Sequence, residues 1–154
     1  MVDATVVANR LLELAAECGR ALTPMQLLKL VYIAHGWMLG LYGRPLIRDE
    51  VQAWQYGPVI PTLYNAIRNF RSSPVQGPLQ TRSGEALGEQ ERDLVKQVFN
   101  VYGALTGPAL SRLTHAQGTP WKAVWQPDCF GISISNDLIA DHYARLGKER
   151  DAAP

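Results

Sequence analysis

Residues 24 to 42, PMQLLKLVYIAHGWMLGLY, are apolar on nearly every side, interrupted only by Gln26, Lys29 and His35. A helix of that kind is either central to a core or spans a membrane. Spanning asks for about 18 or more apolar residues with few charges. The polar interruptions, together with the ordinary polarity of the remaining chain, favour a buried central helix. Thr23 and Pro24 set its start, because a threonine oxygen accepts an unpartnered amide of the first turn and proline at the first position gives up only an amide without a partner. Gly36 and Gly40 share one face, where missing side chains let another backbone come close.

The other elements follow from the same periodicity. Val6, Val7, Leu11, Leu14 and Ala15 make residues 4 to 18 an amphipathic helix that Gly19 ends. Residues 43 to 45 close the central helix, and 51 to 56 alternate as a strand, with Gln52, Trp54 and Tyr56 on one face and Val51 and Ala53 on the other. One strand cannot stand alone, so 79 to 82 or 132 to 134 is expected to pair with it. Gly57, Pro58 and Pro61 punctuate the entry to a helix reaching about residue 70. The Gly, Pro and Ser-rich stretch that follows reads as a mobile connection whose Arg71 and Arg82 are solvated. Helices are then predicted over 89 to 102, with Leu94, Val95, Val98, Val101 and Tyr102 inward, from Thr106 through His115, from Thr119 through Gln126, and over 135 to 146 with Ile139 and Tyr143 inward. The expected fold is mainly α, six to seven helices around the buried central one with one small β element. It forms a single compact domain over 1–147, with 148–154 a flexible tail.

Composition bounds the function. A chain of 154 residues buries about 70% of the surface its unfolded form exposes, enough for one core without staples. Fifteen Lys and Arg nearly cancel fourteen Asp and Glu, which removes any bulk attraction to nucleic acid or an anionic membrane. The N-terminal stretch carries Asp3, Glu13 and Glu17 and does not read as a signal peptide, so a cytoplasmic location is expected. Cys18 and Cys129 form no CxxC pair or Cys/His cluster. They are expected to be reduced, and on the general burial habit of free cysteine to be packing residues.

No metal, phosphate-loop or nucleophile-elbow motif occurs, and His35, His115 and His142 are scattered. No catalytic residue, metal ligand or cofactor is therefore expected, and His35 and His115 read as hydrogen-bonded structural histidines. The Leu14 to Leu28 region approximates a helix-turn-helix, but its second helix offers only Gln26 and Lys29 as an exposed reading face, too little for base recognition.

Four short motifs stand in fixed order: Leu27-Leu28-Lys29-Leu30, then Ala34-His35-Gly36-Trp37, Tyr42-Gly43-Arg44-Pro45, and Ala53-Trp54-Gln55-Tyr56-Gly57-Pro58-Val59. Leu113-Thr114-His115 and Pro120-Trp121 follow downstream. This order resembles the Panacea domain, also called SocA-like and found in phage-associated GepA proteins, over about residues 10 to 145. The resemblance implies a small helical antitoxin, not an enzyme, that neutralises a cognate protein toxin encoded by an adjacent gene through direct binding. It also implies a second mode, an adaptor handing the toxin to a Clp-type protease. The chain leaves no room for the extra DNA-binding domain that some relatives carry, so nucleic acid is not an expected partner of this chain alone.

The motif residues Lys29, His35, Gly36, Trp37, Tyr42, Gly43, Pro45, Trp54, Tyr56, Gly57, Pro58, His115, Pro120 and Trp121 are expected to be mostly structural, with Trp37, Trp54 and Trp121 in packing roles. Toxin contact is assigned to Arg44, Arg48, Trp54, Tyr56, Tyr64 and Arg68, on the prominence of aromatics in protein hot spots and on exposed arginines, with the loop over 71–88 as a further contact. Two alternatives stay open at this point: a hydrolase-like enzyme using Cys129 or His115, and a DNA-binding regulator without a toxin.

Overall fold

A computed structural model describes residues 1–82 and 84–152, the last two by backbone alone. The chain runs α1 (Ala4–Glu17), α2 (Pro24–Tyr42), β1 (Gln52–Trp54), β2 (Gly57–Val59), α3 (Pro61–Ile67), which ends in a 3₁₀ turn at Arg68–Phe70, then α4 (Glu89–Tyr102), α5 (Gly107–Thr114), α6 (Pro120–Val124), β3 (Ile132–Ser133) and α7 (Asn136–Ala152). The architecture is mainly α with a small sheet, as the periodicity implies. Position 83 of the expected contact loop, and 153 and 154 of the expected tail, lie outside the described residues.

Everything packs around α2, which is buried without a break from Leu27 to Leu39. Thr23 caps it through a capping box, its hydroxyl accepting the Gln26 amide while the Gln26 side chain accepts the Thr23 amide. No helix among the described residues is long and apolar enough to cross a membrane. The buried stretch also leaves α2 no open face for a DNA groove. Lys29, read from sequence as half of such a face, is only 4% exposed.

Helix α2 packs more extensively against α7 than against any other described element. A methyl group on Gly36 would overlap the Tyr143 ring, and one on Gly40 would stand 2.7 Å from the Ala144 backbone nitrogen. Tyr143 meets Trp37 edge-on at 5.1 Å and Tyr32 at 6.4 Å, so one aromatic ring fills the slot that the glycines leave. His35, wholly buried, ties the end of this unit together. Its Nδ1 accepts the amides of Leu46 and Ile47 while Nε2 lies 3.0 Å from Asn136 Oδ1. Two amides facing Nδ1 require the neutral ring with its proton on Nε2, donating to Asn136. Burial pushes the His35 pKa below its ordinary value, opposed by the Asn136 hydrogen bond and the Asp49 charge.

Several expectations need correction. The 57 to 59 segment is a strand rather than a helix entry. It pairs antiparallel with β1 (Trp54↔Gly57, Ala53↔Pro58, Gln52↔Val59) and occupies one edge of the order β2-β1-β3. Proline was a misleading signal there, since an edge strand tolerates a residue with no amide to donate. Of the two partners foreseen for β1, the 132 to 134 segment pairs with it, whereas 79 to 82 is irregular and is held by Asn9, whose side chain brackets Leu79 N and O. Helix α7 continues six residues past 146. Gly147 does not stop it: it lies inside the helix beside the Trp37 ring, and Arg150 beyond it lies 4.9 Å over that ring and donates to Tyr102 Oη at 2.7 Å.

Cys18 and Cys129 are both exposed, so neither is a packing residue. In α4, Val101 is 58% exposed, and Phe99 takes the inward place assigned to it. The stretch after residue 70, expected to be mobile, is irregular but fastened: Val75 is buried and donates its amide to Leu22 O. Arg82 is largely exposed, as expected, and pairs with Asp3 at 3.2 Å.

Gly40→Ala is expected to lower stability by about 2 kcal/mol or more, because its methyl meets backbone that cannot yield, despite a helix-propensity gain of about 1 kcal/mol; an unchanged denaturant midpoint would refute the close approach. The His35 pKa is lowered on folding, so its stabilising contribution is complete above about pH 6.5 and is lost as pH falls below that, where the unfolded chain binds the extra proton. The drop in denaturant midpoint between pH 7.5 and 5 should therefore be larger for the native chain than for His35→Gln.

Candidate functional site

The hairpin formed by β1 and β2 turns in two residues, Gln55 and Tyr56, and its backbone is held by side chains from three different helices. Lys29 of α2 donates from Nζ to Pro58 O at 2.8 Å. Ser111 of α5 donates to Tyr56 O at 2.7 Å, and Trp121 of α6 donates from Nε1 to Trp54 O at 2.6 Å. Alternate carbonyls along the turn, at 54, 56 and 58, are thus each fixed by a separate donor.

Gly57 allows this convergence for two reasons. Its φ of +123° is a conformation that side chains rarely adopt. A Cβ there would also lie 3.0 Å from Lys29 Nζ and close to Thr114 and His115. His115 sits half-buried behind the clamp, its Nδ1 3.3 Å from Ser111 Oγ and its ring edge-on to Trp121 at 5.4 Å. With the serine proton given to Tyr56, Nδ1 faces an acceptor and is suited to carry the imidazole proton.

What the fixed hairpin presents outward is aromatic. The Trp54 indole lies edge-on to Tyr64 of α3 at 5.0 Å and tilted against Phe130 at 5.2 Å, with its Nε1 donating to Gln52 Oε1. Phe130 is 82% exposed and Tyr56 69%. Between these rings and Met25, Leu28 and Val59 runs an apolar groove of about 470 Å³, with Lys29 in its lining and Arg71 on its wall. Arg71 holds φ at +56°, a strained conformation for a side chain other than glycine. Burial lowers the Lys29 pKa to about 8.

The structure separates the residues singled out from sequence into three places. Trp54, Tyr56 and Tyr64 come together in the groove. Arg44 and Arg48 do not join them: Arg44 is paired with Glu91 at 2.6 Å and bonded to Gln90, and Arg48 is paired with Asp3 and Glu85 and donates to Met1 O. Arg68, in the turn after α3, is exposed and outside the groove lining. Among the motif residues, Lys29, Gly57, Pro58, His115 and Trp121 build the clamp. His35, Gly36 and Trp37 build the α2 to α7 contact. Gly43, at φ +68°, ends α2 in the left-handed conformation that favours glycine, with Tyr42 exposed just before it and half-buried Pro45 just after.

Pro120 is buried at the first position of α6, with Thr119 as its cap. Trp37 and Trp121 are buried as expected, whereas Trp54 is half-buried, packed against the core and also lining the groove. Phe130, Met25 and Ser111 were missed. A phenylalanine in the polar loop PDCFG was the one available signal, since such a residue has no periodic apolar face to join.

Comparison with known proteins gives a consistent result. The family model described as Antitoxin SocA-like, Panacea domain, matches residues 27–122. The chain is 30% identical to Antitoxin SocA of Caulobacter vibrioides (strain NA1000 / CB15N) over 155 aligned residues, which cover 92% of this chain and 82% of that protein. No solved structure matches.

Lys29→Met tests the energetics of the clamp. The depressed pKa, about 8 against an ordinary 10.5, corresponds to about 3 kcal/mol of penalty on the charged amine at neutral pH, while losing the bond to Pro58 O costs about 1–3 kcal/mol. The variant is therefore expected to be as stable as the native chain or slightly more so at pH 7. Between about pH 8 and 10 the unfolded state binds the extra proton, so the native chain gains stability as pH rises and the advantage of the variant shrinks. A variant less stable at pH 7 by more than about 3 kcal/mol would contradict this balance.

Proposed function

Because the chain belongs to the SocA-like Panacea antitoxin family, we propose that it neutralises a cognate protein toxin, encoded by an adjacent gene, by binding it directly through the aromatic groove at the β1–β2 hairpin. Family membership supports the antitoxin class. The observation that supports the face is the group of half-buried and exposed rings, Trp54, Tyr56, Tyr64 and Phe130, carried by a hairpin whose carbonyls are pinned from behind. Aromatic side chains supply large contact area at small entropic cost, and a pinned backbone avoids the ordering penalty of a free turn. Arg44 and Arg48 are set aside as contacts, since their charges are already satisfied within the chain. The reading is of a binding protein, with no group-transfer or hydrolytic step assigned to it.

The test is to induce each neighbouring reading frame with and without this chain and to follow growth and co-purification. Rescue with a stable complex is the expected result. Tyr56→Ala and Phe130→Ala, both at exposed positions, should leave the melting curve unchanged and weaken the complex by about 30-fold if they are hot spots of roughly 2 kcal/mol. Cys129→Ala and His115→Ala should keep rescue, allowing for any loss of stability in the latter; loss of rescue with an unchanged melting curve would reopen catalysis. Rescue without a stable complex, and dependent on a Clp-type protease, would replace blocking by delivery.

A further inference from the structure

The groove lining contains a buried cation that the described residues leave without an ion-pair partner. Lys29 Nζ carries three N–H donors when charged, one of which goes to Pro58 O. Among the described residues no carboxylate stands within ion-pair distance of it, although the residue is only 4% exposed. Around it the lining is mostly apolar and aromatic, with Gln55 and Ser111 as neutral polar members; the one other charge is Arg71, and no Asp or Glu contributes. A buried ammonium with a single neutral acceptor is held at a cost, and covering the groove with a neutral apolar segment would raise that cost by removing the remaining water.

We propose that the groove takes an acidic side chain of the partner protein, an Asp or Glu flanked by apolar residues, with its carboxylate on Lys29 and its neighbours against Trp54, Tyr56 and Phe130. This rests on the reading of the groove as the toxin-binding face, and adds what the partner must present there. A carboxylate completes the donors of Lys29, and Arg71 at the wall supplies the second attraction. A segment lacking it leaves the ammonium unpaired, so the same residue that attracts an acidic partner rejects a neutral one. The near-neutral chain and the two cations of the lining do not form the extended basic surface that a nucleic-acid backbone requires.

The test uses the full chain and defined probes. A peptide Gly-Leu-Glu-Phe-Gly, blocked at both ends, is titrated to millimolar concentration while the Trp54 indole N–H is followed by NMR. Three controls accompany it: the same peptide with Gln for Glu, the Gln peptide with a free C-terminal carboxylate, and a ten-nucleotide single strand. The proposal expects at least a tenfold preference for the Glu peptide over all three. That preference should vanish in Lys29→Met and shrink in Arg71→Gly, which stays folded because glycine accepts the +56° φ. No binding of the Glu peptide, equal binding of the Gln peptide, equal or better binding of the free C-terminus or the single strand, or a preference that survives Lys29→Met would each overturn it. Growth rescue is scored in parallel. If the native chain and Lys29→Met rescue equally well, the antitoxin reading stands and the acidic-contact inference falls; if the native chain does not rescue, the antitoxin reading falls on its own evidence.

Discussion

A nineteen-residue helix with hardly a polar face has to be covered on all sides, and the remaining elements are arranged to cover it. Helix α7 lies against the glycine face, α4 and α5 cover two further sides, and α1 and the hairpin complete the enclosure. Two polar residues inside this helix mark where irregular backbone meets it. His35 accepts the amides of the 46 to 47 segment, and Lys29 donates to the hairpin at Pro58. Both satisfy main-chain groups that would otherwise be buried without partners. The polar interruptions in the apolar run are therefore the attachment points of the loops around it.

The hairpin shows how a backbone can be fixed through its carbonyls while its aromatic side chains stay partly exposed. Donors from α2, α5 and α6 converge on carbonyls 54, 56 and 58 and set the turn in place. Of its side chains, Tyr56 stays exposed and Trp54 half-buried against Tyr64 and Phe130. This division explains why residues with recognisable spacing in the sequence, Lys29, Gly57, Pro58, His115 and Trp121, are chiefly supports. The groove lining adds Phe130 and Met25, which belong to no motif.

Much of the fold was legible because its helices announce their starts. Thr23-Pro24, Thr106-Gly107-Pro108 and Thr119-Pro120 are caps in the sequence, and all three threonines accept first-turn amides in the structure. Glycine spacing at 36 and 40 correctly foretold a close neighbour, though not that Tyr143 would be the group filling the space. What stayed hidden depended on distant contacts. Pro58 reads as a strand breaker until the edge position of β2 is known, and Gly147 reads as a stop until Arg150 is seen over Trp37. Cys18 and Cys129 were judged by the habit of their residue type, with no local pattern to oppose it. Arg44 and Arg48 looked free because the acids that pair with them lie more than 30 positions away in the chain.

Amide hydrogen exchange of the chain, alone and in complex with a toxin that it neutralises, shows whether the groove face of the clamped hairpin is where the toxin sits. The account predicts slowed exchange concentrated at residues 54–64, 71 and 128–131, with the surface bearing Arg44 and Arg48 unchanged. Protection on the Arg44 and Arg48 surface or along α7, with the hairpin exchanging as in the free chain, would contradict it.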